Sequence, residues 1–273
     1  MAMKNSAAST AQVIRPPACA GRFYPADPAQ LREEVKGYLA AAEVAPGPAP
    51  KAIIAPHAGY IFSGPVAGTA YACLQAGRTL IKRVILLGPS HYSDFAGLAA
   101  SQADAFATPL GLVPLDKEAS ACCRALPQVH FLDEAHRREH SLEVHLPFLQ
   151  TILESFTLVP LLVGDATDGQ ISQVLDTLWG GSETCVVVSS DLSHYHDYKT
   201  ARQLDEATSH AIAALRFEML DSGQACGCRP IRGLLHRARQ LGLRARTVDL
   251  RNSGDTAGSR DQVVGYGAYV FAE

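Results

Sequence analysis

Val186-Val187-Val188-Ser189-Ser190-Asp191-Leu192-Ser193-His194 is an apolar run that breaks into small polar residues and ends in a histidine. Two further stretches share its grammar: Ile53-Ile54-Ala55-Pro56-His57 and Val84-Ile85-Leu86-Leu87-Gly88-Pro89-Ser90-His91. Short β-rich apolar runs closed by Gly, Pro or Ser mark buried strands entering loops. In an open α/β sheet, ligands bind outside the carboxyl ends of the strands. Parallel neighbours would therefore deliver His57, His91 and His194 to one rim. Imidazoles converging on a rigid rim form a metal site or an acid/base site.

Outward from these runs, strands and helices alternate. Asp27-Pro28 predicts a capped helix over 29–42. Strands are expected at 51–55, 83–87 and 97–101, and Gly64-Pro65 is expected to start a helix to about 75. Asp116 opens a helix to about 126, and 141–154 is expected as a helix bent at Pro147. Then follow strands at 157–162 and 184–189, with a helix at 168–179 between them. Helices at 198–217 and 230–241 and strands at 244–249 and 262–271 close the chain. No composition break divides the sequence. The expectation is one α/β domain over 15–273, with a central, mostly parallel sheet covered by helices on both faces. Residues 1–14 are expected to form a loose tail.

The bulk composition narrows the function classes. The 273 residues are 47% apolar and 19% charged, enough for a substantial core. A formal net charge of −3 leaves no electrostatic footprint for nucleic acid or an anionic membrane. No apolar run is long enough to span a bilayer, and the first residues lack a secretory signal. Seven cysteines, scattered and without a Cys-x-x-Cys pair, point to a reducing, cytoplasmic setting.

Pro56 and Gly59 frame His57, and Pro89 precedes His91, so both imidazoles are rigidly aimed and can supply two metal ligands. A third ligand must be Cys, His, Asp or Glu. Cys226, in Ala225-Cys226-Gly227-Cys228-Arg229-Pro230, precedes an expected helix N-terminus beside Arg229, and both features favour thiolate. Cys228 has similar surroundings. Asp191 and His194 are three apart; in a helical turn they would share a face, with the carboxylate orienting the imidazole for proton transfer. His136-Arg137-Arg138-Glu139-His140 matches the H-x-x-E-H pattern of a metallopeptidase class. Its charged flanks instead predict a loop or helix start with the arginines in solvent. His140, Glu143, Tyr60 and Tyr24 are expected at the pocket.

Taken in order, these motifs resemble the Memo family. They are Ala-Pro-His57-Ala-Gly-Tyr, Leu-Gly-Pro-Ser-His91, Glu-His140-Ser-Leu-Glu-Val-His-Leu-Pro, Ser-Ser-Asp191-Leu-Ser-His194, Cys226-Gly-x-x-Pro-Ile and Asn252-Ser-Gly-Asp. Prokaryotic members are called AmmeMemoRadiSam system protein B. The resemblance implies a fold similar to the class III extradiol, LigB-like dioxygenases. It implies one metal ion on His57, His91 and Cys226, with Fe(II) or copper favoured and zinc also fitting. Asp191 and His194 would be the catalytic pair, acting on a small-molecule substrate. An AMMECR-type protein and a radical SAM protein are the implied partners. The alternatives are a non-catalytic peptide- or protein-binding module with a vestigial metal pocket, and the H-x-x-E-H metallopeptidase.

Overall fold

The computed structural model describes residues 12–273. Most of the expected tail, residues 1–11, lies outside the described residues. Its last part is tied down. The Val13 amide donates to Asp104 Oδ2 at 2.6 Å, and Ile14–Arg15 forms strand β1.

Helix α1 spans Pro28–Ala40; Asp27 caps it by accepting from the Gln30 amide. Strand β2 is Ala52–Ala55. Helix α2 spans Tyr60–Ala72, so Pro65 lies inside it and does not open it as expected. Proline there leaves the Ile61 carbonyl without its intrahelical donor. Ile61 is exposed, so water can make that bond. Strands β3 (Arg83–Pro89), β4 (Leu98–Ala100), β5 (Ala105–Thr108) and β6 (Gly111–Pro114) follow. Next come α3 (Lys117–Cys123), β7 (Val129–Phe131) and α4 (Asp133–Arg137). A single 3-10 turn over Glu143–His145 leads into α5, Leu146–Ile152. Pro147 therefore sits in the first turn of a short helix and does not bend a long one.

The second half contains β8 (Thr157–Val163), α6 (Asp168–Leu178), β9 (Thr184–Ser189) and β10 (His194–His196). It ends with α7 (Tyr198–Ala213), α8 (Cys228–Gln240), β11 (Arg244–Asn252), α9 (Ser253–Thr256) and β12 (Val263–Ala272).

The main sheet has the order β10-β12-β2-β9-β3-β8-β4-β7, and β11 also pairs with β12. Strands β2, β9, β3 and β8 are parallel neighbours. The flanks are not. β12 runs antiparallel to β2, β10 and β11, and β4 runs antiparallel to β8. The sheet is thus mixed, which corrects the expectation of a mostly parallel one. Connection length explains it. A parallel crossover needs a dozen or more residues, usually a helix. The chain returns from β3 to β4 through residues 90–97 alone, on the same rim.

Helices cover both faces, as expected. On one face Ile53, Val84, Leu86 and Val187 meet Leu31 and Val35 of α1, Val66 and Tyr71 of α2, and Phe148 of α5. On the other, Ile54, Ile85, Leu87, Val186 and Val188 meet Ile171 and Leu175 of α6 and Ile231 and Leu235 of α8. Strand residues alternate between these clusters because side chains on a strand have a period of two. A separate sheet, β1-β5-β6, lies outside the main one. Among the described residues, no helix is long and apolar enough to cross a membrane.

Candidate metal centre

The three histidine-bearing runs end side by side. In register, Ala55 of β2 stands beside Ser189 of β9, and Leu87 of β3 beside Val188. A cavity of about 590 Å³ opens at this rim, lined by His57, His91, His140, Asp191, His194 and Cys226 among others.

His57 is buried, and its Nδ1 lies 2.6 Å from Ser189 Oγ. The Ser189 hydroxyl donates its one hydrogen to the Ser141 carbonyl, at 2.6 Å. It must therefore accept from His57 Nδ1–H. That fixes the tautomer, and Nε2 turns its lone pair toward Cys226 Sγ at 3.2 Å. His91 is set in a similar way. Its Nδ1 is 2.8 Å from Glu139 Oε1, and its amide donates to Oε2 at 2.6 Å. Burial pushes the Glu139 carboxyl up, but the His91 side chain and backbone amides outweigh it and bring it down to about 2. Glu139 is ionised, so His91 Nδ1 is the donor and Nε2 is left free.

Cys226 sits in the turn before α8. The Asp191 amide donates to its Sγ at 3.2 Å, and Gly227 lets the turn approach β9 closely. A Cβ at position 227 would come within 2.5 Å of the Ser189 carbonyl oxygen. Cys228 is buried in the apolar cluster beneath the sheet and does not line the cavity. Burial first, then the Asp191 carboxylate, push the Cys226 thiol up to about 12. This corrects the expectation of a thiolate set up by Arg229. That guanidinium reaches away, to the Gly164 carbonyl and to Asp165.

One ligand atom each from His57, His91 and Cys226 lies within 4.8 Å of the other two. Two imidazole nitrogens with their tautomers fixed by acceptors, together with one sulfur, suit a mid-to-late first-row transition metal. The residues therefore fit a single ion. His91, Glu139 and His140 also lie close together. Glu139 there accepts from the His91, His140 and Ser141 amides as well as from His91 Nδ1, so its oxygens are committed to orienting the loop.

Asp191 and His194 both line the cavity but do not pair. Asp191 Oδ1 accepts from the His57 amide at 2.7 Å and from the Ala58 amide at 3.3 Å. Residues 190–193 are irregular and β10 follows, so no helical turn stacks the two side chains as expected. Burial raises Asp191 to about 7 against the pull of those two amides. Burial lowers the pKa values of His194, His140 and His57, to about 4 for His140.

Glu143, Tyr24 and Tyr60 stand behind the wall and do not line the cavity. Glu143 is a buried hub. It accepts from Arg15 Nη1, the Ala18 and Cys19 amides, Cys19 Sγ and the Tyr24 hydroxyl. Tyr60 donates to the Val144 carbonyl. The H-x-x-E-H stretch runs from the short helix α4 into a loop, with Arg137 and Arg138 exposed as expected, and His136 is buried with Nε2 3.0 Å from the Ala99 carbonyl. It turns away from His140, so the H-x-x-E-H stretch does not form a peptidase site. Sequence reasoning missed Glu139 and Ser189 as orienting residues, and Phe23 and Tyr195 as lining.

The fold is α/β, and two histidines and a cysteine meet at the rim of its mixed sheet. A family model described as Memo-like protein matches residues 15–270, and the chain belongs to that family. A MEMO1 family protein of Methanopyrus kandleri is 34% identical over 280 residues, covering 94% of this chain and 98% of its own. MEMO1 family proteins of Archaeoglobus fulgidus and Aquifex aeolicus are each 34% identical, covering 94% of this chain and 99% of their own. A crystal structure of an uncharacterized Escherichia coli K12 protein aligns with TM-score 0.45 and 12% identity, over 79% of this chain and 98% of that one. That likeness assigns nothing here.

Proposed function

We propose that this Memo-family protein is a metal-dependent, dioxygenase-like redox enzyme acting on a small molecule in the rim cavity. One Fe(II) or copper ion would be held by His57, His91 and Cys226; zinc fits the same donors. One observation carries the reading: three donors from three separate segments lie within 4.8 Å of one another. Each imidazole has its other nitrogen already engaged. When bound, the ion would supply Lewis-acid and electron-transfer chemistry to a substrate or to dioxygen. Thiolate in place of the carboxylate of a two-histidine facial triad shifts the donor set toward softer metals.

The proton chemistry belongs to the chain. Asp191 Oδ1 is committed to two backbone amides, so a proton would reside on Oδ2. With its pKa raised to about 7, the group can hold or release that proton near neutral pH. His194, neutral because burial lowers its pKa, is placed to accept a proton on the same cavity.

Anaerobic titration with Fe(II), copper and zinc tests the proposal. His57→Ala, His91→Ala and Cys226→Ser should lose metal, whereas His194→Ala and Asp191→Asn should retain it. Once a substrate is in hand, His194→Ala should slow turnover by roughly 10²–10⁴-fold. A wild-type protein that takes up none of these ions would overturn the reading in favour of the binding module.

A further inference from the structure

Tyr195 has a left-handed backbone, with φ 61°. Residues other than Gly, Asn and Asp seldom occupy that region, because the Cβ crowds the following carbonyl. It sits at the bulge in β10, where the register on β12 slips: His194 pairs with Val264 and His196 with Val263. In a regular strand, adjacent side chains point to opposite faces. His194 and Tyr195 would then diverge. Instead both line the same cavity, with ring centroids 5.8 Å apart. The bulge has re-aimed the tyrosine to the cavity mouth.

No core packing accounts for this placement, since Tyr195 is 70% exposed. An exposed ring on a strained backbone contributes little to the free fold. Strain of this kind gathers where a ligand will be met. Three further rings, Phe23, His140 and His91, line the cavity and pack on one another, with the Phe23 and His140 planes 35° apart. Phe23 lies against His140 at 4.5 Å between ring centroids, and His140 stacks on His91 at 4.6 Å with planes 21° apart. Among the described residues, no lysine or arginine lines the cavity to select a phosphate or carboxylate. The volume, about 590 Å³, suits a small molecule.

We propose that Tyr195 is a ligand-contacting, specificity-determining residue, and that the cavity takes an uncharged ring against Tyr195, beside the Phe23 and His140 rings. The proposal rests on the rim cavity being the ligand site of the preceding reading.

The test uses metal-free protein and phenol as the probe, with cyclohexanol and inorganic phosphate for comparison. Binding is followed by ligand-detected NMR, and stability by thermal unfolding. Phenol should bind in preference to both others. Tyr195→Gly should weaken phenol about 2–10-fold, the range of an aromatic pair. The same variant should raise the thermal midpoint by about 2 °C, because it relieves the left-handed strain. Tyr195→Phe should bind phenol like the wild type. Wild-type phenol affinity in Tyr195→Gly, no phenol binding, or preference for phosphate would each overturn the proposal. So would a lowered midpoint in Tyr195→Gly, which would make the residue structural. The metal reading is tested by other variants, His57→Ala and Cys226→Ser, so the two can fail separately.

Discussion

Glu139 Oε1 accepts from His91 Nδ1 at 2.8 Å while its Oε2 accepts from the His91 amide at 2.6 Å, so one buried carboxylate fixes both the ring and the backbone of a candidate ligand. Such carboxylate–histidine pairs set the tautomer and basicity of a metal-bound imidazole. Glu139→Gln keeps the size of the side chain and removes its charge. It should lower metal affinity by about 10–100-fold, read by competition with a chelator. Equal affinity in wild type and variant would show that Glu139 serves the loop alone.

Metal affinity should rise with pH. The Cys226 thiol keeps its proton up to about 12 in the metal-free protein, and that proton must leave for sulfur to bind. Burial holds His57 neutral, so it adds no competing proton near neutrality. Between about pH 6 and 9, each unit should strengthen the apparent affinity by about tenfold, through release of one proton. A flat profile would place the sulfur outside the coordination sphere.

In the metal-free protein, Cys226 should be slow toward peroxide and alkylating agents. Thiolate is the reactive species, and burial with Asp191 alongside suppresses it. Cys122 is exposed and should be modified first. Peptide mass spectrometry after brief treatment reads the order directly; Cys226 leading would contradict the environment described.

The Arg15–Glu143 pair is buried, with 2.5 Å between Nη1 and Oε2. Burial opposes ionisation of Glu143, but Arg15 and the surrounding donors hold its carboxyl below the usual 4.5. A carboxyl with a depressed folded pKa contributes stability above its unfolded value, and that contribution is lost as pH falls through the folded one. Arg15→Met strands the carboxylate and should cost about 3–5 kcal/mol at pH 7. The deficit should shrink in acid, where the carboxyl is neutral. Urea unfolding at the two pH values measures both; a deficit independent of pH would mean lost packing, not an uncompensated charge.

The ends of β2, β3 and β9 were legible because those strands are buried on both faces and close on Pro, Gly or Ser. Periodicity gave strand existence but not direction, so the antiparallel flanks around β12 and β4 were not visible. Strands β1, β5 and β6 are short, and no regular apolar run marks them. Pro65 was misleading because proline is tolerated inside a helix whose freed carbonyl faces water. That His57, His91 and Cys226 come together was legible from residue type and from resemblance. Glu139 was not, because it stands within Arg137-Arg138-Glu139, a charged run like any solvated face. Its burial comes from folding back onto His91. The spacing of Asp191 and His194 suggested a pair that the bulged β10 forbids.

His57, His91 and Cys226 are proposed to build one single-ion centre. X-ray absorption at the zinc K-edge, on wild-type protein loaded with one zinc, tests it most directly. One sulfur at about 2.3 Å and two imidazole nitrogens at about 2.0–2.1 Å are expected. The sulfur shell should vanish in Cys226→Ser. A wild-type spectrum with only nitrogen and oxygen neighbours, or a sulfur shell that survives Cys226→Ser, would contradict it.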